Sequence, residues 1–186
     1  MKRTIGVLAA VAGLGMGLCA CAAEIAYDTG AMGVAYDPVG GGQKFAVRFT
    51  NDNAYDVVVR AALIRGHDSV QGNLDVMIWA DNGGIPGAPL ATLPNQHLSY
   101  VAPTGFASFD VSASDIVIKA GESVFAGLSP ISCKVPYDDG TGQGAHNWWM
   151  ATTTWAAGQP AAVAGHNLAV RLEVSRLGRG ALFTIH

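Results

Sequence analysis

Several stretches of this chain alternate apolar and polar or small side chains with a period of two. Phe45, Val47 and Phe49 alternate with Lys44, Ala46 and Arg48, and Leu74, Val76 and Ile78 with Asp75 and Met77. In the same way Val57, Val59, Ala61 and Leu63 alternate with Val58, Arg60 and Ala62. Only an extended strand sends residues i, i+2 and i+4 to one face, so each run predicts a strand with one face on a core. Further short β-type runs follow at 106–111, 115–118, 123–128, 148–153 and 169–175. The 24 Gly and 8 Pro fall largely between such runs, where turns need positive φ or a fixed bend. No helix-length periodic segment separates the strands, and the one candidate helical turn, near 156–164, contains Pro160. About nine to eleven strands at roughly 8 to 12-residue spacing predict an all-β fold. The expected architecture is an antiparallel two-sheet sandwich of jelly-roll type.

The first residues obey a different rule. Lys2 and Arg3 precede an apolar, Ala- and Gly-rich run from Ile5 to Leu18, and the small residues of 20–23 follow. A charged start, a short apolar run and a small-residue end compose a secretory signal peptide. The run is shorter than the roughly 20 residues that span a bilayer. Residues 1–22 are therefore read as the signal and 23–186 as one domain, with an irregular tail from about 177. Two processing routes fit. Ala20-Cys21-Ala22 matches the A-x-A pattern of ordinary signal peptidase, and Leu18-Cys19-Ala20-Cys21 matches a lipobox, which would make Cys21 a lipidation site. The expected location is the periplasm, the outer membrane through a lipid anchor, or the cell exterior.

Removal of Lys2 and Arg3 leaves nine basic against 14 acidic side chains, a net charge of −5. With no basic stripe or tail, nucleic acid is excluded as the expected partner. Downstream of the signal, Cys133 is the single cysteine, so neither a disulfide framework nor a thiolate zinc site can be assembled from this chain. Cys133 is expected to behave as a small buried hydrophobe.

From Leu74 the chain reads Leu-Asp-Val-Met-Ile-Trp-Ala-Asp-Asn-Gly-Gly-Ile-Pro-Gly-Ala-Pro-Leu, a strand running into the turn 81–84, a second bend at Pro86-Gly87 and a new strand at Leu90. A later block joins Gly105-Phe106 and Phe109-Asp110-Val111 to Ile116-Val117-Ile118-Lys119-Ala120-Gly121-Glu122 and Gly127-Leu128. The D-N-G-G-x-P-G-x-x-L turn and the aromatic, strand, x-x-A-G-E, strand, G-L block resemble secreted bacterial β-sandwich domains of the "choice-of-anchor" type. The resemblance covers residues 43 to 155 and implies a sandwich behind a signal peptide. It implies no catalytic residue, because the shared letters are scaffold turns. The sequence after Arg176 predicts no C-terminal sorting helix.

No Gly-x-Ser-x-Gly, His-Glu-x-x-His, Walker or dinucleotide signature occurs, and His67, His97, His146 and His166 are scattered without the spacing of a zinc site. Oxygen donors in Gly-rich loops are better placed: Asp81, Asn82, Asp138 and Asp139 are candidate ligands for calcium, the one cofactor expected. Tyr137, Trp148, Trp149 and Trp155 crowd around the polar loop 136–146 and are the candidate ligand-binding residues. Neighbouring Trp148 and Trp149 must face opposite sides of a strand, one towards the core and the other towards solvent. An exposed indole beside polar groups is a surface on which a sugar ring stacks. The expected function is an exported, non-catalytic module with a structural or ligand-binding role. Its expected partners are polysaccharide or other cell-envelope components. A small exported hydrolase and an assembly or adhesion subunit are the alternatives.

Overall fold

The computed structural model describes residues 22–28, 33–38, 42–101, 105–138, 146–151, 153–158, 160–163 and 165–178. Cys21 and Asp139 lie outside the described residues. Thirteen strands occur among them: β1 (Ala22–Ala26), β2 (Val34–Tyr36), β3 (Lys44–Thr50), β4 (Val57–Arg65), β5 (Gly72–Asp81), β6 (Pro86–Leu98), β7 (Phe106–Asp110), β8 (Val117–Ile118), β9 (Ser123–Pro130), β10 (Val135–Tyr137), β11 (Asn147–Met150), β12 (Trp155–Ala157) and β13 (Val170–Arg176).

Every named pairing is antiparallel. One sheet runs β1-β13-β4-β7, with β8 also on β4; the other has six strands in the order β12-β11-β3-β9-β5-β6; β10 and β2 form a small third ladder. The chain crosses between the large sheets at β3 to β4, β4 to β5, β6 to β7, β8 to β9 and β12 to β13, so neighbours in a sheet are mostly distant in sequence. The all-β sandwich is thus the observed architecture. The segment read as a candidate helical turn instead holds β12 and a single 3₁₀ turn at Ala161–Val163. The loop expected from Pro136 begins later, because Val135–Tyr137 pairs with Val34–Tyr36.

The sequence period correctly identifies the inner face of the six-stranded sheet. Phe45, Val47 and Phe49 of β3, Leu74, Val76 and Ile78 of β5, and Val124, Ala126 and Leu128 of β9 all enter the main core. In the opposing sheet the period slips. Val57 and Val59 face the core, but so do Ala62 and Ile64 rather than Ala61 and Leu63. The register explains the correction: Val174 pairs with Val59 while Glu173 pairs with Ala61, leaving Arg60 as an extra residue. Such a β-bulge turns every following side chain to the other face. The extra residue is put to use, since its carbonyl accepts from Val111 N–H and its Nε donates to Ser175 Oγ at 2.7 Å.

Edge strand β1 is held by more than its ladder. The Arg171 guanidinium donates to both carboxylate oxygens of Asp28, at 2.9 and 2.8 Å, and to Glu24 at 3.0 Å. It also stands 4.1 Å from the Phe106 ring centroid. These contacts tie the first described residues to the centre of the sheet.

Candidate functional site

The outward positions of the six-stranded sheet are unusual. Such positions are ordinarily polar in a sandwich, yet here Ala46 (β3), Met77 and Trp79 (β5) and Phe125 (β9) form a second apolar cluster, with Trp148 (β11) and Trp155 (β12) packed against it. The register shows how large rings fit there. Trp148 pairs with Ala46, Ala46 with Gly127, and Gly127 with Met77, so the middle of this cross-strand row carries almost no side chain. A β-carbon at Gly127 would run into the Phe45 carbonyl oxygen, so the position admits nothing larger. Over this small-residue row the aromatics meet edge to face: Trp79 with Trp155 at 5.2 Å and 81°, and Phe125 with Trp148 at 6.0 Å and 90°.

Trp79 and Phe125 are the floor, at 2% and 0% exposure. Trp148 and Trp155 are half-buried and present the accessible aromatic surface. The next cross-strand row adds polar groups: Arg48 pairs with Phe125, and Phe125 with Trp79. Arg48 Nε donates to Asp81 Oδ2 at 2.9 Å and its NH2 donates to the same oxygen. The second Asp81 oxygen accepts from Gly84 N–H. Arg48, Asp81, Gly121, Glu122 and Ser123 line an open recess. An aromatic surface therefore grades into a fixed array of carboxylate, guanidinium and hydroxyl.

The sequence-derived candidates separate on this frame. Trp148 and Trp155 belong to the outer face, whereas Trp149, pairing with Phe45, packs on the main core. Tyr137 is a correction: at 1% exposure it lies in the main core, against Tyr36 with centroids 6.5 Å apart, and offers no face for stacking. Burial pushes its phenol far above the usual range. The reason is that β10 pairs with β2 over the core where a loop is expected.

The described candidate calcium ligands do not converge: Asp138 lies apart from the neighbours Asp81 and Asn82. Asp81 is committed to Arg48 and Gly84. Asn82 sits in the turn, its N–H donating to the Ile85 carbonyl. Asp138 is fully buried, accepting from Asn167 N–H at 2.8 Å and from Asn167 Nδ2 at 3.1 Å. Around it His166 Nδ1 donates to the Asp138 carbonyl, and Asn147 joins through His166 and Leu168. This network fastens the start of β11 to the segment before β13. Among the described residues no group of three or more His, Cys, Asp or Glu is placed to hold a metal. Cys133 is buried, and desolvation pushes its thiol up to about 11.

Trp79, Phe125 and Arg48 are not among the candidate residues that the sequence singles out. The available signal was a strand apolar on both faces: Met77 and Trp79 occupy the outward positions of β5, and Phe125 that of β9. No family model matches the chain, and no curated protein or solved structure matches it. Among the described residues no helix is long and apolar enough to cross a membrane.

Proposed function

We propose that this chain is an exported, non-catalytic β-sandwich module that binds carbohydrate on the outer face of its six-stranded sheet. The observation that carries the reading is the pair of half-buried indoles, Trp148 and Trp155, resting on buried Phe125 and Trp79 beside the Arg48–Asp81 array. Sugar rings have apolar C–H faces and hydroxyl edges. Indoles supply the first contact, and a carboxylate–guanidinium pair supplies acceptors and donors for the second. The floor residues hold the rings at little further entropic cost on binding.

The likeness of the turn at 81–87 and of the block at 105–128 to choice-of-anchor domains agrees with a scaffold whose function lies on one face. Export follows from the N-terminal pattern. The intact mass of protein recovered from a Gram-negative host distinguishes an acylated Cys21 from a free Ala23 or Glu24, and full-length protein retained in the cytosol would contradict export.

The binding reading is tested by retention of the mature domain on insoluble polysaccharides and on gels containing soluble ones. Trp148→Ala and Trp155→Ala should abolish retention while the domain stays folded, and Trp149→Ala should act through stability. Retention that survives both outer-face substitutions, or no retention on any glycan, would overturn the reading. Concentration-dependent dimerisation abolished by the same substitutions would instead favour an assembly subunit.

A further inference from the structure

We propose that the glycan bound on this face is acidic, and that Lys44 recognises the anionic group on its sugar rings. The inference rests on the carbohydrate reading above and specifies its ligand class.

It starts from the charges on the outer face. The Arg48 guanidinium is taken by Asp81. Lys44, two residues before Ala46 on the same face of β3, forms no ion pair among the described residues. The other surface lysines that the structure describes, Lys119 and Lys134, lie within 4 Å of Glu122 and Asp37. Lys44 is half-buried, so its stem packs while its ammonium reaches solvent.

The register places it beside the accessible indoles. Lys44 pairs with Met150, and Met150 with Trp155, so Trp155, Met150 and Lys44 form one cross-strand row over three adjacent strands. Trp148 with Ala46 forms the next row on the same face. Strands lie about 4.8 Å apart, so Lys44 is about 10 Å from Trp155 between backbones, the span of one to two sugar units. The outward carboxylate beyond it is Asp75 on β5, two strands from β3 and again about 10 Å away. Asp75 already accepts from Asn95 N–H at 2.8 Å. A ring stacked on Trp155 or Trp148 and carrying a carboxylate or sulfate would therefore meet an ammonium that no carboxylate pairs with among the described residues. The mature domain's net charge of −5, nine basic against 14 acidic side chains, supplies no long-range attraction for a polyanion. Recognition must then be local and weakly dependent on salt beyond one ion pair.

The experiment uses polygalacturonate and its fully methyl-esterified form, identical chains with the carboxylate exposed or masked, together with alginate, dextran, dextran sulfate and a neutral glucan in affinity electrophoresis. Wild-type mature domain should be retarded about tenfold more strongly by an acidic polymer than by its neutral counterpart. Lys44→Met should remove that difference without changing retardation by neutral glycans, Lys44→Arg should keep it, and Trp155→Ala should remove retardation by all. The uronate and sulfate arms separate the two sources of negative charge. Equal binding of acidic and neutral forms, or an acidic preference that Lys44→Met leaves intact, overturns the proposal while the carbohydrate reading stands. Absence of retardation by every polymer overturns both.

Discussion

The indoles of Trp79 and Trp155 meet edge to face, 5.2 Å between centroids, although β9, β3 and β11 lie between their strands in the sheet. Four strand spacings of about 4.8 Å separate the two backbones, so the contact requires the sheet to curl towards this face, and the small residues Ala46 and Gly127 between them leave room for the rings. It makes one tryptophan a floor and the other a surface. Trp79→Ala should cost about 3 to 5 kcal/mol, the usual loss for a large buried aromatic, whereas half-buried Trp155→Ala should cost about 1 to 2 kcal/mol. Urea unfolding of both variants checks this, and equal losses would mean that Trp155 is as much core as Trp79.

The Asp138 carboxylate accepts from both a backbone and a side-chain N–H of Asn167, which gives Asp138→Asn a defined penalty. One carboxylate oxygen becomes an amide NH₂ facing a donor, a mismatch of about 1 to 3 kcal/mol. Thermal unfolding should fall equally in calcium and in chelator. A loss seen in calcium buffer alone would restore Asp138 as a metal ligand.

Much of the fold is legible in the sequence itself. Inward residues of β3 and β5 follow the period of two without exception, because hydrophobic burial dictates that face. The slip at Arg60 was not readable, since a bulge is set by pairing with β13, more than a hundred residues away. Tyr137 is not legible as core because β10, three residues long with Pro136 at its centre and Asp138 directly after it, carries the composition of a loop. The platform was half visible. Trp148 and Trp155 stood out as a cluster, but their floor comes from Trp79 and Phe125, which join them only through the order of strands in the sheet.

Cys133 links burial to pH. Its folded-state thiol is raised to about 11 from an ordinary value near 9 because desolvation disfavours the thiolate. A raised acid contributes stability that is complete below the unfolded value and is lost as pH climbs through the folded one. Wild-type stability should therefore decline between about pH 9 and 11 more steeply than that of Cys133→Ala. Parallel curves for the two proteins would contradict this, as would fast alkylation of Cys133 under native conditions at pH 8.

Asp28 neutralises Arg171 beneath β1, and its own side chain is fully buried while that of Arg171 is 19% exposed. The hydrogen-bonded Asp28 carboxylate raises the guanidinium further above its ordinary value, so Arg171 keeps its charge at any physiological pH. Asp28→Ala leaves that cation with Glu24 alone. A cost of about 2 kcal/mol is expected, below the 3 to 5 of a fully enclosed pair. Hydrogen exchange should quicken first along Ala22–Ala26, the edge strand that Arg171 fastens. Uniform exchange across the sheet would show that the pair serves global stability rather than the attachment of β1.

The chain contains four tryptophans, Trp79, Trp148, Trp149 and Trp155, and each contributes one indole N–H signal in a nitrogen-15 correlation spectrum of the mature domain. Titration with a glycan that retards the protein reads the site directly. The signals of Trp148 and Trp155 should shift together and saturably, that of Trp79 should move less, and that of Trp149, on the opposite face of the same strand, should stay in place. Saturable shifts at Trp149 with Trp148 and Trp155 unmoved would contradict a carbohydrate site on the outer face of the six-stranded sheet.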